Sequence, residues 1–181
     1  MHIQVTEGIH WVGFIDWLVR DFHSYSTHRG ATYNSYLIQD EKTALCDTVK
    51  APYAETLLGQ IAELTDPAKI DYIVCHHAEP DHAGSLARVL ELAPKAEIVC
   101  SAKCKEILAA YNGDKAQAWN FKVVESGDTL SLGKRTLHFL TTPMVHWPDS
   151  MMTYVPEEKL LFSMDGFGQH YASTQRFDYE I

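Results

Sequence analysis

The sequence predicts an α/β sandwich of mixed sheets with helices on the outside. Three observations carry the prediction. Strand-like runs open the chain, strand–helix alternation occupies its middle, and strand-like runs close it, the order expected of stacked sheet layers with helices laid against them. Its middle stretches space their apolar residues either at helical period or as short continuous runs that suit buried strands. The chain has 181 residues, 46% hydrophobic and 22% charged, enough for the core of one globular domain.

The elements follow in order. IHWVGFI (residues 9–15), YNSYLIQ (33–39) and KTALCDT (42–48) read as strands, with a polar loop over 21–32 between the first two. APYAETLLGQIAEL places Tyr53, Leu57, Ile61 and Leu64 at helical spacing, and Asp66-Pro67 stops the helix. IDYIVCHH is a short apolar run that suits a buried strand. SLARVLELA reads as a helix ending at Pro94, AEIVCS as a strand, and SAKCKEILAAY as a helix with Ser101 as its N-cap. Three short strands follow over 121–142, broken at Ser126-Gly127-Asp128 and Leu132-Gly133-Lys134. The last run is a hairpin turning at Pro156-Glu157-Glu158.

Composition excludes several classes. A formal net charge of −9 argues against a grip on nucleic-acid phosphates, which needs clustered Lys and Arg. No apolar run approaches the roughly 20 residues of a membrane helix, and MHIQVTEGIHW has neither the basic start nor the apolar core of a signal peptide. Cys46, Cys75, Cys100 and Cys104 show no Cys-x-x-Cys spacing, and three of them sit in apolar strand-like stretches. They read as buried thiols of a cytoplasmic protein rather than a disulfide framework.

The chemistry concentrates in HHAEPDHAG, residues 76–84, which directly follow an apolar strand. His77, Glu79 and Asp81 alternate, so in extended chain they share a face. At about 3.3 Å per residue, His77 and Asp81 would then lie roughly 13 Å apart, whereas metal–ligand bonds are about 2 Å. Either the loop curls around one ion or the ligands divide between two ions about 3.5–4 Å apart. We divide them, with His77 and Glu79 on one ion and Asp81 and His82 on the other. Pro80 keeps Glu79 out of helical dihedrals, which suits a loop. His146 and Asp165, each just past a strand, complete most of the site, and Asp165 could bridge the ions. Taken alone, His146 reads as a structural histidine and Asp165 before Gly166 as a turn residue; the constellation gives them weight. His76, of opposite parity to His77, reads as a supporting residue.

Glu79 bears on the metal. Three carboxylates against two divalent ions leave a net charge of about +1, and an added carboxylate favours the trivalent state over the divalent one. A mixed imidazole and carboxylate shell suits iron, although zinc accepts the same donors. The balance leans toward a redox-active di-iron centre.

The residues that carry this pattern resemble a known family. His77-x-Glu79-x-Asp81-His82, then His146, then eighteen intervening residues, then Asp165, is similar to the motif of the N-terminal, metallo-β-lactamase-like domain of the flavodiiron proteins, or A-type flavoproteins. DFHSYSTHRGATYNSYLI and VHWPDSM are similar too, and the resemblance runs over essentially the whole chain, residues 1–181. It implies an αββα sandwich of metallo-β-lactamase type, two iron ions, and reduction of dioxygen to water, of nitric oxide to nitrous oxide, or both. It implies that His23 lines the diatomic-gas pocket. It also implies a head-to-tail homodimer or larger assembly, FMN on a flavodoxin-like domain, and an electron donor such as rubredoxin or a flavin reductase. Trp147, beside His146, would face that flavin.

The sequence departs from the family in two places. The family's last iron ligand is a histidine further past the aspartate than the sixteen residues that follow Asp165 here; His170 comes too early to match it. Nothing resembles a flavodoxin-like domain or a Gly-rich phosphate loop. The expected fold is thus incomplete at its C-terminus, with FMN supplied by another domain or chain. The competing readings are a two-zinc hydrolase on the same fold and a non-catalytic gas sensor or docking subunit.

Overall fold

The computed structural model describes residues 2–22 and 25–181. The chain opens with β1 (Ile3–Thr6), β2 (Ile9–Trp11), β3 (Phe14–Asp16), β4 (Asp21–Phe22), β5 (Tyr25–Ser26), β6 (Ala31–Tyr33), β7 (Tyr36–Gln39) and β8 (Thr43–Cys46). Next come α1 (Ala54–Ala62), β9 (Ile70–Cys75), a single helical turn α2 (Pro80–Ala83), α3 (Leu86–Leu92), β10 (Glu97–Cys100), α4 (Ala102–Asn112) and β11 (Phe121–Val123). The chain finishes with β12 (Thr129–Ser131), β13 (Thr136–Thr141), β14 (Met151–Val155) and β15 (Leu160–Phe162).

Seven strands form the large sheet in the order β1-β2-β7-β8-β9-β10-β11, and β12-β13-β14-β15 form a second. The large sheet is mixed. β1, β2, β7 and β8 run antiparallel to one another, while β8, β9, β10 and β11 run parallel. The parallel strands explain why residues 70–77 read as continuous apolar sequence: both faces are covered.

The pleat shows this directly. Leu37, Leu45, Ile73, Cys75, Ile98 and Cys100 point to one side, into a core with Leu57, Ile61, Leu86, Val89 and Leu108 of the helices. Their alternates Ile38, Ala44, Cys46, Val74 and Val99 point to the other side and meet Leu137, Phe139, Met151, Val155 and Phe162 of the second sheet. The layers are therefore helix, sheet, sheet. The far face of the second sheet exposes Leu140, Tyr154 and Leu161, and among the described residues no α-helix follows α4. All four cysteines are buried free thiols. No helix among the described residues is long and apolar enough to cross a membrane.

Two strand expectations need correcting. Residues 9–15 do not form one strand: β2 joins the large sheet while β3 pairs with β6. The break falls at Gly13, where a Cβ would collide with the Tyr33 carbonyl and the Trp11 ring; only glycine permits that crossing. Residues 33–39 divide likewise at Asn34-Ser35, where the Ser35 carbonyl accepts from the Val12 amide at 2.8 Å. The polar stretch 21–32 contains the short pair β4–β5. The Ser101 cap forms as expected, its hydroxyl accepting from the Cys104 amide at 3.1 Å.

Candidate metal centre

Parallel strands end on one edge, and this edge carries the site. Asp47 follows β8, and His76 and His77 follow β9. His146 sits in the loop from β13 to β14, and Asp165 in a helical turn just past β15 (Met164–Phe167). The Met151 amide donates to the His76 carbonyl at 3.1 Å, tying the second sheet's loop to the end of β9.

Within 76–84 the backbone is extended at Glu79 (φ −61°, ψ 145°) and helical from Pro80. Glu79 is thus extended, as expected from Pro80, and Asp81 and His82 lie in a helical turn that starts at the proline. Proline restrains the residue before it but suits the first helical position itself. The turn closes through His82 and Ala83 amides on the Glu79 carbonyl, both at 2.9 Å. Gly84 ends it, pressed so close to Pro80 and Ala51 that a Cβ would collide with the Pro80 carbonyl.

The six predicted donors converge in two overlapping groups. His77, Glu79, His146 and Asp165 offer ligand atoms all within 4.8 Å of one another, as do Asp81, His82 and Asp165. Asp165 belongs to both. His77 Nε2 lies 3.0 Å from Glu79 Oε2, His146 Nε2 3.6 Å from the same oxygen, and His82 Nε2 3.1 Å from Asp165 Oδ2. His77, Glu79 and His82 are buried, whereas the His146 side chain is 41% exposed. Asp81 Oδ1 is buried with no hydrogen-bond partner, and such an orphaned carboxylate oxygen calls for a cation.

Two carboxylates that sequence reasoning missed fix the histidines. Asp149, fully buried, accepts from His77 Nδ1 at 3.0 Å and from the Ala78 amide at 2.7 Å. Asp47 pairs with His82 Nδ1 at 3.3 Å and His76 Nδ1 at 3.0 Å, and accepts from the His76 amide at 2.8 Å. Each of the two candidate ligands thus has Nδ1 occupied and Nε2 aimed at the centre, the usual support for a metal-binding imidazole. His76 is a strut: its Nε2 lies 2.8 Å from the Thr153 hydroxyl of the second sheet. The signals for these two carboxylates were faint. Asp47 is one aspartate after a strand, held at φ +57°, and Asp149 one aspartate after a proline.

The electrostatics are those of a cation site. Burial works against charge on His77, but Asp149 and Glu79 outweigh it and push its pKa up to about 9. Burial likewise opposes charge on His82, yet Asp81, Asp165 and Asp47 hold it well above the ordinary histidine value. Burial pushes the Asp47 carboxyl up, and His76 and His82 reverse this and hold it well below the usual range. Burial raises Asp81, with Asp165 and Glu79 adding to the rise. Protons on His77 and His82 thus balance the carboxylates around them, and divalent cations would displace those protons.

Trp147 and His170 belong to neither group. The Trp147 ring lies 5.4 Å from the His77 ring and is 38% exposed. His170 packs at 4.6 Å on Phe22 and joins neither group. His23 lies outside the described residues. A cavity of about 570 Å³ adjoins the centre, lined by Glu79, Asp81, His82, His146 and Asp165 together with aromatic side chains such as Phe22 and Tyr33.

Comparison with known proteins adds to this geometry. The family model described as "ODP family beta lactamase" matches residues 31–180. The nitric oxide reductase of Moorella thermoacetica is 48% identical over 99% of this chain and 45% of its own length. The crystal structure of the flavodiiron protein from Giardia intestinalis superposes with a TM-score of 0.95 at 45% identity, over 100% of this chain and 44% of that one. The rubredoxin oxygen:oxidoreductase of Desulfovibrio gigas does so with a TM-score of 0.94 at 46% identity, over 100% of this chain and 45% of that one. The chain therefore spans about half the length of the relatives it matches.

Proposed function

The chain belongs to the ODP family of beta lactamase-like proteins, and on that premise we propose that it is the di-iron module of a reductase that converts dioxygen to water, nitric oxide to nitrous oxide, or both. The observation that carries the reading is the pair of donor groups joined at Asp165, with Glu79 among them. A nitric oxide reductase and a rubredoxin oxygen:oxidoreductase among the similar proteins support both gases as substrates.

Residues 1–181 form the metallo-β-lactamase-like domain in this reading. His77, Glu79, His146 and Asp165 hold one ion and Asp81, His82 and Asp165 the other. The donor chemistry fits iron: imidazoles and carboxylates only, three of the six buried, with one carboxylate shared. Two ferrous ions, when bound, supply two electrons on reaching the ferric state.

The protein's own contributions are positional and electrostatic. Asp149 and Asp47 hold the imidazoles in the tautomer that presents Nε2. Glu79, Asp81 and Asp165 bring three negative charges, which favour the higher oxidation state. Phe22 and Tyr33 give the cavity beside the donor groups an aromatic wall against which a small uncharged gas can rest. Full reduction of dioxygen needs four electrons, so an outside source must reload the centre. We assign that source to FMN on a flavodoxin-like domain or chain, fed by a rubredoxin or flavin reductase. The flavin approaches from a head-to-tail partner on the side of Trp147, whose exposed ring lies against His77. His23 is assigned to the gas pocket from sequence resemblance alone.

Metal analysis with anaerobic optical spectroscopy on the assembled protein tests the reading. Two irons per site, bleached by reductant and restored by dioxygen or nitric oxide, are expected. Stoichiometric zinc with ester or lactam hydrolysis would replace it with a two-metal hydrolase.

A further inference from the structure

The aromatic wall of the cavity leads into a hydrogen-bonded chain that the metal centre does not use. Asp16 ends β3 and is buried. Its Oδ1 accepts from the backbone amides of Leu18 and Val19 at 3.1 and 3.0 Å. Its Oδ2 accepts from two phenols at once, Tyr33 and Tyr53, each at 2.8 Å. Tyr33 is 2% exposed and lines the cavity beside Glu79, Asp81 and His82. Tyr53 is only half-buried and ends the helical turn before α1 (Ala51–Tyr53), its ring stacked on Phe14 at 3.7 Å. The Trp17-Leu18 segment over Asp16 is exposed.

Anchoring the Leu18–Val19 backbone accounts for Oδ1. It does not account for two phenols of unequal exposure meeting on the other oxygen. Reduction of dioxygen to water takes up one proton per electron, and so does coupling of nitric oxide to nitrous oxide and water. A chain of hydroxyl and carboxylate groups held in fixed hydrogen bonds can deliver those protons to the cavity in step with the electrons.

We propose that Tyr53, Asp16 and Tyr33 form a proton relay from the protein surface to the cavity. The proposal rests on the gas-reductase reading above, because the protons it delivers are those that reduction of either gas takes up. Tyr53 gives its hydroxyl proton to Asp16 Oδ2 and regains one from water. Tyr33 turns its O–H toward the cavity and gives that proton to the substrate oxygen being reduced, while Oδ2 passes its proton to the phenol oxygen of Tyr33. At each station one O–H bond breaks and one forms, and no electron moves along the relay. Because both phenols share Oδ2, the proton crosses without rotation of the carboxylate, which the two amides on Oδ1 hold still. The ordinary charges of the three groups agree with this. Burial pushes the Tyr33 phenol well above the usual tyrosine value, and Asp16 pushes it further, so Tyr33 yields a proton only as it receives one. Burial also raises Asp16, but the two phenols and two amides reverse this and keep it charged between transfers.

The first test needs no metal. The exchange of the Tyr33 hydroxyl proton with solvent is measured by NMR on the tyrosine-labelled, metal-free chain. Tyr53→Phe, which keeps the ring on Phe14, should slow that exchange several-fold; unchanged exchange overturns the relay. The second test uses the gas-reducing assembly. Tyr33→Phe should lower kcat by roughly 10²-fold with KM for the gas unchanged, and should raise the solvent deuterium isotope effect. A merely structural role would leave that isotope effect alone, and an unaltered effect counts against the relay. An assembly that reduces neither gas would refute the functional reading, while the exchange measurement would still decide the hydrogen-bonded path.

Discussion

Replacing Asp149 by asparagine isolates what a buried carboxylate does for His77. The wild-type Oδ2 accepts from the Ala78 amide at 2.7 Å and lies 3.1 Å from His77 Nδ1, while Oδ1 lies 3.0 Å from the same nitrogen. An asparagine can keep its oxygen in the Oδ2 position and hold Ala78. Its amide nitrogen then stands where Oδ1 was and donates to Nδ1. The imidazole must accept there, so its own proton moves to Nε2, the atom aimed at Glu79 and the centre. The packing barely changes, because the side chains are isosteric and every bond has a counterpart. The metal site changes: Nε2 must lose that proton before it can bind. Loss of such a supporting carboxylate weakens metal binding by about 10–100-fold, or about 1.4–2.8 kcal/mol at tenfold per 1.4 kcal/mol. Ferrous or cobalt titration against a competing chelator reads the affinity, and thermal unfolding of the metal-free protein reads the fold. The expected result is a clear loss of affinity, with little change in the metal-free Tm when it is compared above pH 9, where His77 is neutral in the wild type too. Asp149→Ala, by contrast, leaves two buried donors unpartnered and should cost about 1–3 kcal/mol for each. Wild-type affinity in the asparagine variant would refute the argument that Asp149 sets the tautomer of His77.

Two further outcomes follow from the same cluster. In the chelated protein His77 titrates near 9 instead of the ordinary 6.5, and His82 is raised as well. Groups raised on folding stabilise fully below the unfolded value and lose this as pH climbs through the folded one, so Tm should fall between pH 6.5 and pH 9. A Tm that stays flat or rises across that window contradicts the charged state assigned to these histidines; added divalent metal should reverse the trend, since it competes with those protons. Glu79→His removes one of three carboxylates and should shift the bound metal toward zinc and abolish gas reduction, as read by metal content and gas uptake; retained reductase turnover would sink the role given to Glu79.

The fold was legible where burial imposes a period. Residues 70–75 read as a strand because both faces of β9 are covered, and the α1 stretch read as a helix because Leu57 and Ile61 meet one core. The splitting of residues 9–15 was not legible. Trp11 and Phe14 both look like strand residues, and the reason they serve different sheets is a contact with Tyr33, twenty residues away in sequence from Gly13. A local pattern carries no record of such a crossing. The extended backbone of Glu79 was legible from Pro80, because proline restrains the residue before it and leaves Asp81 and His82 free to be helical.

The site divides along the same line. His77, Glu79, Asp81 and His82 stood out because one short segment supplies all four, and a buried run of donors this dense needs cations to offset its charge. His146 and Asp165 stood out only beside that run. Asp47 and Asp149 did not stand out at all, although each touches a candidate ligand directly. Their function depends on where β8 and the β13–β14 loop end relative to β9, and that is a property of the sheet edges. The same dependence explains why Asp165 falls in both donor groups. It arrives from the second sheet, after β15, and meets the large sheet's loop where the two sheet edges face each other. Neither sheet alone could assemble two adjoining donor groups, so the binuclear character of the candidate centre is a consequence of stacking two sheets with their loop-bearing edges together.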